Sequence, residues 1–402
     1  MPKARARTEP DHSPKKISAV LLDALAAQIG VTRVARVTGL DRGGVEVACA
    51  IRPGGHVLQV SNGKGLDAAS AKAGAILEAA ELWAAERPAP SQLIFASLEE
   101  LRARNLEAWP LEEELLAPEL FSPSLRIAWL PVELLGRPQD GWHAIFLPAS
   151  VVHCVPSTGP WLGPSVHRWT SNGMGAHPDG ELALRHALLE AAERDGLARA
   201  LPDGWTGRAL KQRKIDPRTL VEAAPKTASL VETLKGNGLT AHLFDLRPSV
   251  KVNPNSKSEG QFKQTWMDGL VLAGALLIDD EEGPVPLAAG YACAAGRDTA
   301  LLGALLEAAQ SRLTDVHGAR EDIAPADPVA MQELARAATR GNAKVNANEL
   351  PEEKTLDSKQ LTARFAAAGF PKIAALELAP PDCLARIIKV VAPGLLLSEL
   401  LQ

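Results

Sequence analysis

Three octapeptides in this chain are near copies of one another: Gly74-Ala-Ile-Leu-Glu78-Ala-Ala-Glu81, His186-Ala-Leu-Leu-Glu190-Ala-Ala-Glu193 and Gly303-Ala-Leu-Leu-Glu307-Ala-Ala-Gln310. Each ends in two acid-type residues three positions apart. On an α-helix that spacing puts both side chains on one face. Together the copies supply five carboxylates, Glu78, Glu81, Glu190, Glu193 and Glu307, and one amide, Gln310. Carboxylates gathered at one place repel, so they need cations. The usual cations for hard oxygen ligands are Mg²⁺ and Ca²⁺.

Two copies share what precedes them. Ser61-Asn-Gly-Lys64-Gly65 comes before the first acidic pair, and Ser171-Asn172-Gly-Met-Gly175 before the second. Read as Gly-rich loops entering helix N-termini, these segments offer backbone N–H groups to an anion. Anion-binding loops beside acidic helices suggest a metal–phosphate ligand such as Mg–ATP. The bland alternative is a solvated helix face, because Ala, Leu and Glu are strong helix formers. An internal duplication kept for packing is the other.

The elements that position these residues follow from pattern. Ile17 to Ile29 has helical apolar spacing with Gly30 as its stop. Val45 to Ile51 and Val57 to Val60 read as strands around a Pro-Gly-Gly turn. Helices are expected from about Ala68 to Ala85, Glu181 to Leu201 and Thr299 to Asp315. Leu125 to Leu130, Trp142 to Leu147, Leu239 to Leu246, Leu270 to Ile278, Ala374 to Leu378 and Arg386 to Ala392 read as strands. Asn253 to Gly260 reads as a polar loop. The recurring order of strand, Gly loop and acidic helix predicts one mixed α/β (α+β) domain with pseudo-repeats.

Composition bounds the function. The chain has 402 residues, 46% hydrophobic and 23% charged, with a net charge of −5. That is a globular composition without general polyanion affinity, so nucleic acid is not an expected partner. No apolar run reaches the roughly 18 residues of a membrane span. The four cysteines, Cys49, Cys154, Cys293 and Cys383, show no metal or disulfide spacing and fit a reduced, cytoplasmic setting. Residues 1–16 are basic, lack an apolar signal core and read as a disordered arm. Walker-type GxxxxGK[ST], HExxH and GxSxG motifs are absent.

Taken in order, Gly30 to Gly44, SNGKG with Glu78 and Glu81, SNGMGAHP with Glu190-Ala-Ala-Glu193-Arg194-Asp195, Glu307-Ala-Ala-Gln310-Ser-Arg312 with Gly318-Ala-Arg320-Glu-Asp322, and Val390-Val-Ala-Pro-Gly-Leu395 resemble the YcaO-domain family. The resemblance spans residues 17–395. It implies ATP- and Mg²⁺-dependent activation of a peptide backbone amide. A nucleophile adds, the oxyanion is phosphorylated, and elimination leaves an azoline, a thioamide or an amidine.

On that resemblance Glu78, Glu81, Glu190 and Glu193 hold the metals. Lys64, Ser171, Asn172, Glu190, Arg194, Glu307 and Gln310 meet the nucleotide, and Arg194, Arg312 and Arg320 serve catalysis. For several of these a plain structural part is the alternative: Arg194 paired with Asp195, Arg312 and Arg320 in salt bridges, Lys64 solvated. Gly74 stands where the family usually has Ser, and Leu182 where it has an acid, with Glu181 one place off register. The C-terminal residues 396–402 lack a PxPxP tail. The resemblance therefore points to the thioamide-forming branch acting on a peptide or protein, with a TfuA-type partner, a sulfide donor and a homodimer expected. Azoline formation and a degenerate, partner-binding scaffold are the alternatives.

Overall fold

The computed structural model describes residues 17–136, 145–205, 207–248, 267–281, 283–320, 328–340, 342–352 and 355–396. The expected N-terminal arm, the polar loop at 253–260 and most of the C-terminal tail lie outside these residues. Three antiparallel sheets carry the fold. The first joins β1 (Arg33–Arg36), β2 (Glu46–Ile51) and β3 (Val60–Gly65) in chain order. A six-stranded sheet runs β4 (Ile94–Ala96), β5 (Ile127–Leu134), β11 (Ala374–Glu377), β12 (Arg386–Val391), β7 (Met174–His177), with β6 (Ile145–Pro148) also on β5. The third has the order β10 (Leu287–Ala294), β9 (Val271–Asp279), β8 (Leu239–Asp245).

Each acidic octapeptide lies on a long helix: Ala68–Ala85, Gly180–Gly204 and Arg297–His317. Each helix follows β3, β7 or β10 directly. Asp67 and Asp179 cap the first two by accepting N–H bonds in the first turn. The mixed α+β class expected from the sequence is therefore seen.

The SNGKG segment is not a loop. It is β3 itself, hydrogen-bonded to β2 from Val60↔Ile51 to Gly65↔Glu46. Its central glycine answers to packing. A Cβ on Gly63 would sit 2.1 Å from Ala71 O and 2.2 Å from Ala75 N of its helix. Gly175 on β7 meets Ala183 O at 2.2 Å, and Gly290 on β10 meets Ala308 N at 2.1 Å, in the same way. Three strands thus lie directly against three alanine-rich helices, which only glycine permits. Gly74 belongs to that contact: a Cβ there would lie 3.3 Å from Gly63 Cα. The second SNG segment differs, since Asn172 and Gly173 form a turn before β7, with Gly173 at φ +74°.

The three helices link the sheets in a ring. The first packs on β2 and β3 and on β7; the second on β7 and β12 and on β10; the third on β9 and β10 and on β3. The apolar faces of the helices fill the core, with Ala75, Ala79, Ala187, Leu188, Ala304 and Leu305 at most 1% exposed. The acidic faces are left turned toward one another. Among the described residues no helix is long and apolar enough to cross a membrane.

Candidate active site

The acidic faces meet in one cleft, where Glu78 is tied to the strand of its own unit and Glu81, Glu193 and Glu307 to the strand of a neighbouring one. Glu78 accepts the Asn62 N–H of β3 at 2.9 Å. Glu81 accepts the Ala176 N–H of β7. Glu193 accepts the Cys293 N–H of β10 at 3.0 Å. Glu307 closes the ring with Lys64 of β3 at 2.6 Å. The sequence-predicted residues Glu78, Glu81, Glu190, Glu193, Glu307, Lys64 and Arg194 are therefore brought together.

Arg194 stands among these acids, 3.8 Å from Glu190 and 3.8 Å from Glu193. Its Nε is buried without a hydrogen-bond partner. A guanidinium at that separation neutralises without locking on. Arg320 lies 4.0 Å from Glu78 at the rim. Gln310 lies one helical turn beyond Glu307, half-buried.

The electrostatics of the cleft are those of crowded anions. Burial, with Glu190 and Glu78 nearby, holds the Glu81 carboxyl well above the ordinary range. Burial first, then Glu193 and Glu78 against the opposing pull of Arg194 and Lys389, push Glu190 up to about 7. Glu193 is raised by burial and by Glu307. Yet the side chains stay solvent-accessible, from 13% for Glu193 to 33% for Glu78. A water-reached cluster of oxygen donors with raised proton affinity suits a hard divalent cation, which displaces the proton and relieves the repulsion. Among the described residues no group of three His, Cys, Asp or Glu side chains stands placed to hold a metal ion by itself. The donor set nonetheless fits Mg²⁺, an ion that keeps several waters and takes only one or two carboxylates.

A family model described as YcaO cyclodehydratase, ATP- and Mg²⁺-binding, matches residues 62–396. The chain belongs to the YcaO family. ATP and Mg²⁺ are the cofactors of that domain. Its fold is similar to that of YcaO from Methanopyrus kandleri bound with AMPPCP and Mg²⁺, at TM-score 0.68 and 20% identity over 93% of this chain and 88% of that one. It is also similar to a heterocyclase in complex with substrate and cofactor, at TM-score 0.69 and 19% identity over 98% of this chain and 54% of that one. In sequence it is 26% identical to an uncharacterised protein in the tfuA 3′ region of Rhizobium leguminosarum bv. trifolii, over 91% of this chain and 84% of that protein. It is 28% identical to an uncharacterised Methanothermobacter thermautotrophicus protein over 75% of this chain and 70% of that protein.

Within this YcaO domain one expectation, the catalytic role of Arg312, needs correction, while Asp195 departs from the alternative pairing and Glu181 stays out of the site as its register implies. Arg312 is not at the cleft: it is 2% exposed, bonded to Asp41 at 3.1 Å and Asp279 at 2.9 Å and to the Val285 carbonyl. All its donor faces are spent holding the third helix to β9 and the 38–44 segment, a structural part. Asp195 is fully buried and pairs with Arg199 at 2.8 Å and the Leu396 N–H at 2.9 Å, not with Arg194. Glu181 cannot stand in for an acid at Leu182, because both its oxygens accept from Ser358 at 2.6 Å. Ser171 is exposed on the turn before β7, and Asn172 contributes its backbone carbonyl to Lys389 at 2.6 Å.

Lys389 is the residue that sequence reading missed. It sits on β12, 3% exposed, opposite Met174 of β7. Its Nζ also donates to the Thr170 carbonyl at 2.6 Å. Burial lowers its affinity for a proton to about 8, against the pull of Glu190, Glu114 and Glu81. The available signal was a single lysine inside the apolar strand Arg386-Ile-Ile-Lys-Val-Val391.

Proposed function

We propose that this YcaO protein activates a backbone amide of a peptide or protein in an ATP- and Mg²⁺-dependent reaction, and that the product is a thioamide. The observation that carries the reading is the convergence of Glu78, Glu81, Glu190 and Glu193 with Arg194 in their midst. These four carboxylates would hold Mg²⁺. Bound ATP supplies the phosphoryl group that turns the amide oxygen, a poor leaving group, into a good one. The residues of the chain position and neutralise, which is most of what phosphoryl transfer needs. Arg194 and Arg320 offer positive charge to phosphate oxygens; Lys64, Glu307 and Gln310 line the third side.

The thioamide assignment draws support from the relative in a tfuA 3′ region. A TfuA-type partner, a sulfide source and a homodimer belong to the same reading. The family description as cyclodehydratase favours a second product, an azoline formed from Cys, Ser or Thr.

The test is calorimetric titration with a non-hydrolysable ATP analogue, with and without Mg²⁺. Mg²⁺-dependent binding that is lost in Glu190→Gln and Glu193→Gln is expected. Absence of binding would leave a partner-binding scaffold instead. The product then discriminates by mass: exchange of oxygen for sulfur marks a thioamide, loss of one water an azoline.

A further inference from the structure

A small pocket adjoins the carboxylate cleft at Arg194. Its walls include Glu114, Arg168, Asn172, Arg194, Lys389 and Leu396, and its volume is about 50 Å³. One water needs about 10–15 Å³ of such space, so the pocket takes a group of only a few heavy atoms. Three of its side chains are cationic and one is a carboxylate, which selects an anion over a neutral hydroxyl or an ammonium.

Two of those cations are shared with the carboxylate cleft. Arg194 is 3.8 Å from Glu190 and Glu193, and Lys389 feels Glu190, Glu114 and Glu81. Arg194 and Lys389 thus border both the carboxylate cleft and the small pocket, which adjoin one another at these two cations. Lys389 cannot swing away, because the Thr170 and Asn172 carbonyls fix its ammonium. The Leu396 N–H on Asp195 at 2.9 Å holds the chain segment that roofs the pocket.

We propose that this pocket binds the attacking nucleophile as a free small monoanion of the hydrosulfide class, with Lys389 and Arg168 holding it and Glu114 receiving its proton. The proposal rests on the amide-activation reading above. The chemistry balances. Hydrosulfide adds to the amide carbon, forming C–S while the C=O π pair moves to oxygen. That oxygen takes the phosphoryl group of ATP and ADP departs. The S–H proton passes to Glu114, the C=S bond forms, and the C–O bond breaks as phosphate leaves, carrying the proton onward. Hydrosulfide, amide and ATP give thioamide, ADP and phosphate, with no redox partner.

The experiment uses crystals of the full chain with Mg²⁺ and a non-hydrolysable ATP analogue, soaked in bromide, a monoanion of similar size with a strong anomalous signal. A bromide in the pocket of the wild type is expected. At the concentration that half-fills the wild type, occupancy in Lys389→Met should fall about tenfold or more, the effect of losing one charge-assisted contact. Lys389→Arg should restore it, and Glu114→Gln should keep or strengthen it. If Lys389→Met does not fold, Arg168→Gln gives the same readout. A pocket without bromide while the nucleotide analogue is bound overturns the nucleophile site and leaves amide activation standing. A bromide indifferent to Lys389 and Arg168 is adventitious and also overturns it. An analogue that never binds overturns the underlying reading.

Discussion

Lys64 Nζ lies 2.6 Å from Glu307 Oε2, joining the strand of the first unit to the helix of the third. The other two seams of the ring are closed by backbone N–H groups on carboxylates, Ala176 on Glu81 and Cys293 on Glu193. The position equivalent to those acids in the third helix is Gln310. The third seam therefore carries an ion pair and a neutral amide where the other two carry surplus negative charge. On the proposed function, the Mg²⁺ ions would sit at the first two seams.

This asymmetry predicts opposite effects of two charge deletions. Both partners of the pair are about a quarter exposed, so deleting either should cost at most about 1 kcal/mol of stability. Lys64→Met leaves one more uncompensated carboxylate and should tighten Mg²⁺ binding several-fold. Glu307→Gln should weaken it. Calorimetry with Mg²⁺ alone reads both, and weaker binding in Lys64→Met would remove the ammonium from the metal's surroundings.

The crowded carboxylates make a second prediction. Glu190→Gln removes a charge that burial and Glu193 oppose, so the metal-free variant should melt higher than the wild type. A gain of about 1 kcal/mol is expected, as for other sites where function is kept at the expense of stability. The same variant should lose its Mg²⁺-induced rise in Tm and its ATP turnover. A Glu190→Gln protein that is destabilised and still responds to Mg²⁺ would contradict the role given to this residue.

The pH dependence follows with its sign. Glu190 is raised from 4.5 to about 7, and Glu81 and Glu193 are raised too. The folded state therefore binds protons more tightly than the unfolded chain. The stabilising protons are fully present below about pH 4.5 and are lost as pH rises through about 7. Metal-free protein should lose stability across that interval. Mg²⁺ competes with those protons, so the Mg²⁺-induced rise in Tm should be small near pH 5.5 and grow toward pH 8. Thermal melts at several pH values, with and without Mg²⁺, give the curve; a rise independent of pH would place the metal elsewhere.

The acidic cluster was legible because it repeats: Glu-Ala-Ala-Glu fixes both the helix and the shared face. The helix expected over Ala68 to Ala85 has those bounds. What was not legible was set by tertiary partners. Ser61-Asn-Gly-Lys-Gly65 looks like a loop because glycine usually breaks strands. Here the glycine is what lets the strand touch a helix. Arg312 has a motif position beside Gln310, but its direction on the helix sends it to Asp41 and Asp279. Lys389 and Glu114 face one another across 275 residues of sequence, the difference between their numbers, and no spacing rule spans that.

The glycine contacts give the sharpest stability prediction. A Cβ at Gly63 or Gly290 would lie 2.1 Å from helix backbone, at Ala71 O or Ala308 N. Backbone cannot yield as a side-chain tip does, so strand and helix must separate. Overpacking of this kind typically costs about 1–3 kcal/mol. Gly63→Ala and Gly290→Ala should therefore melt well below the wild type. Because Asn62 N–H and Lys64 flank Gly63 and reach Glu78 and Glu307, Gly63→Ala should also weaken Mg²⁺ binding. Gly39→Ala and Gly54→Ala are the controls, since a Cβ there meets nothing within 4 Å and neither backbone is left-handed. Equal melting temperatures across the four variants would mean that the strands do not need glycine to lie against their helices.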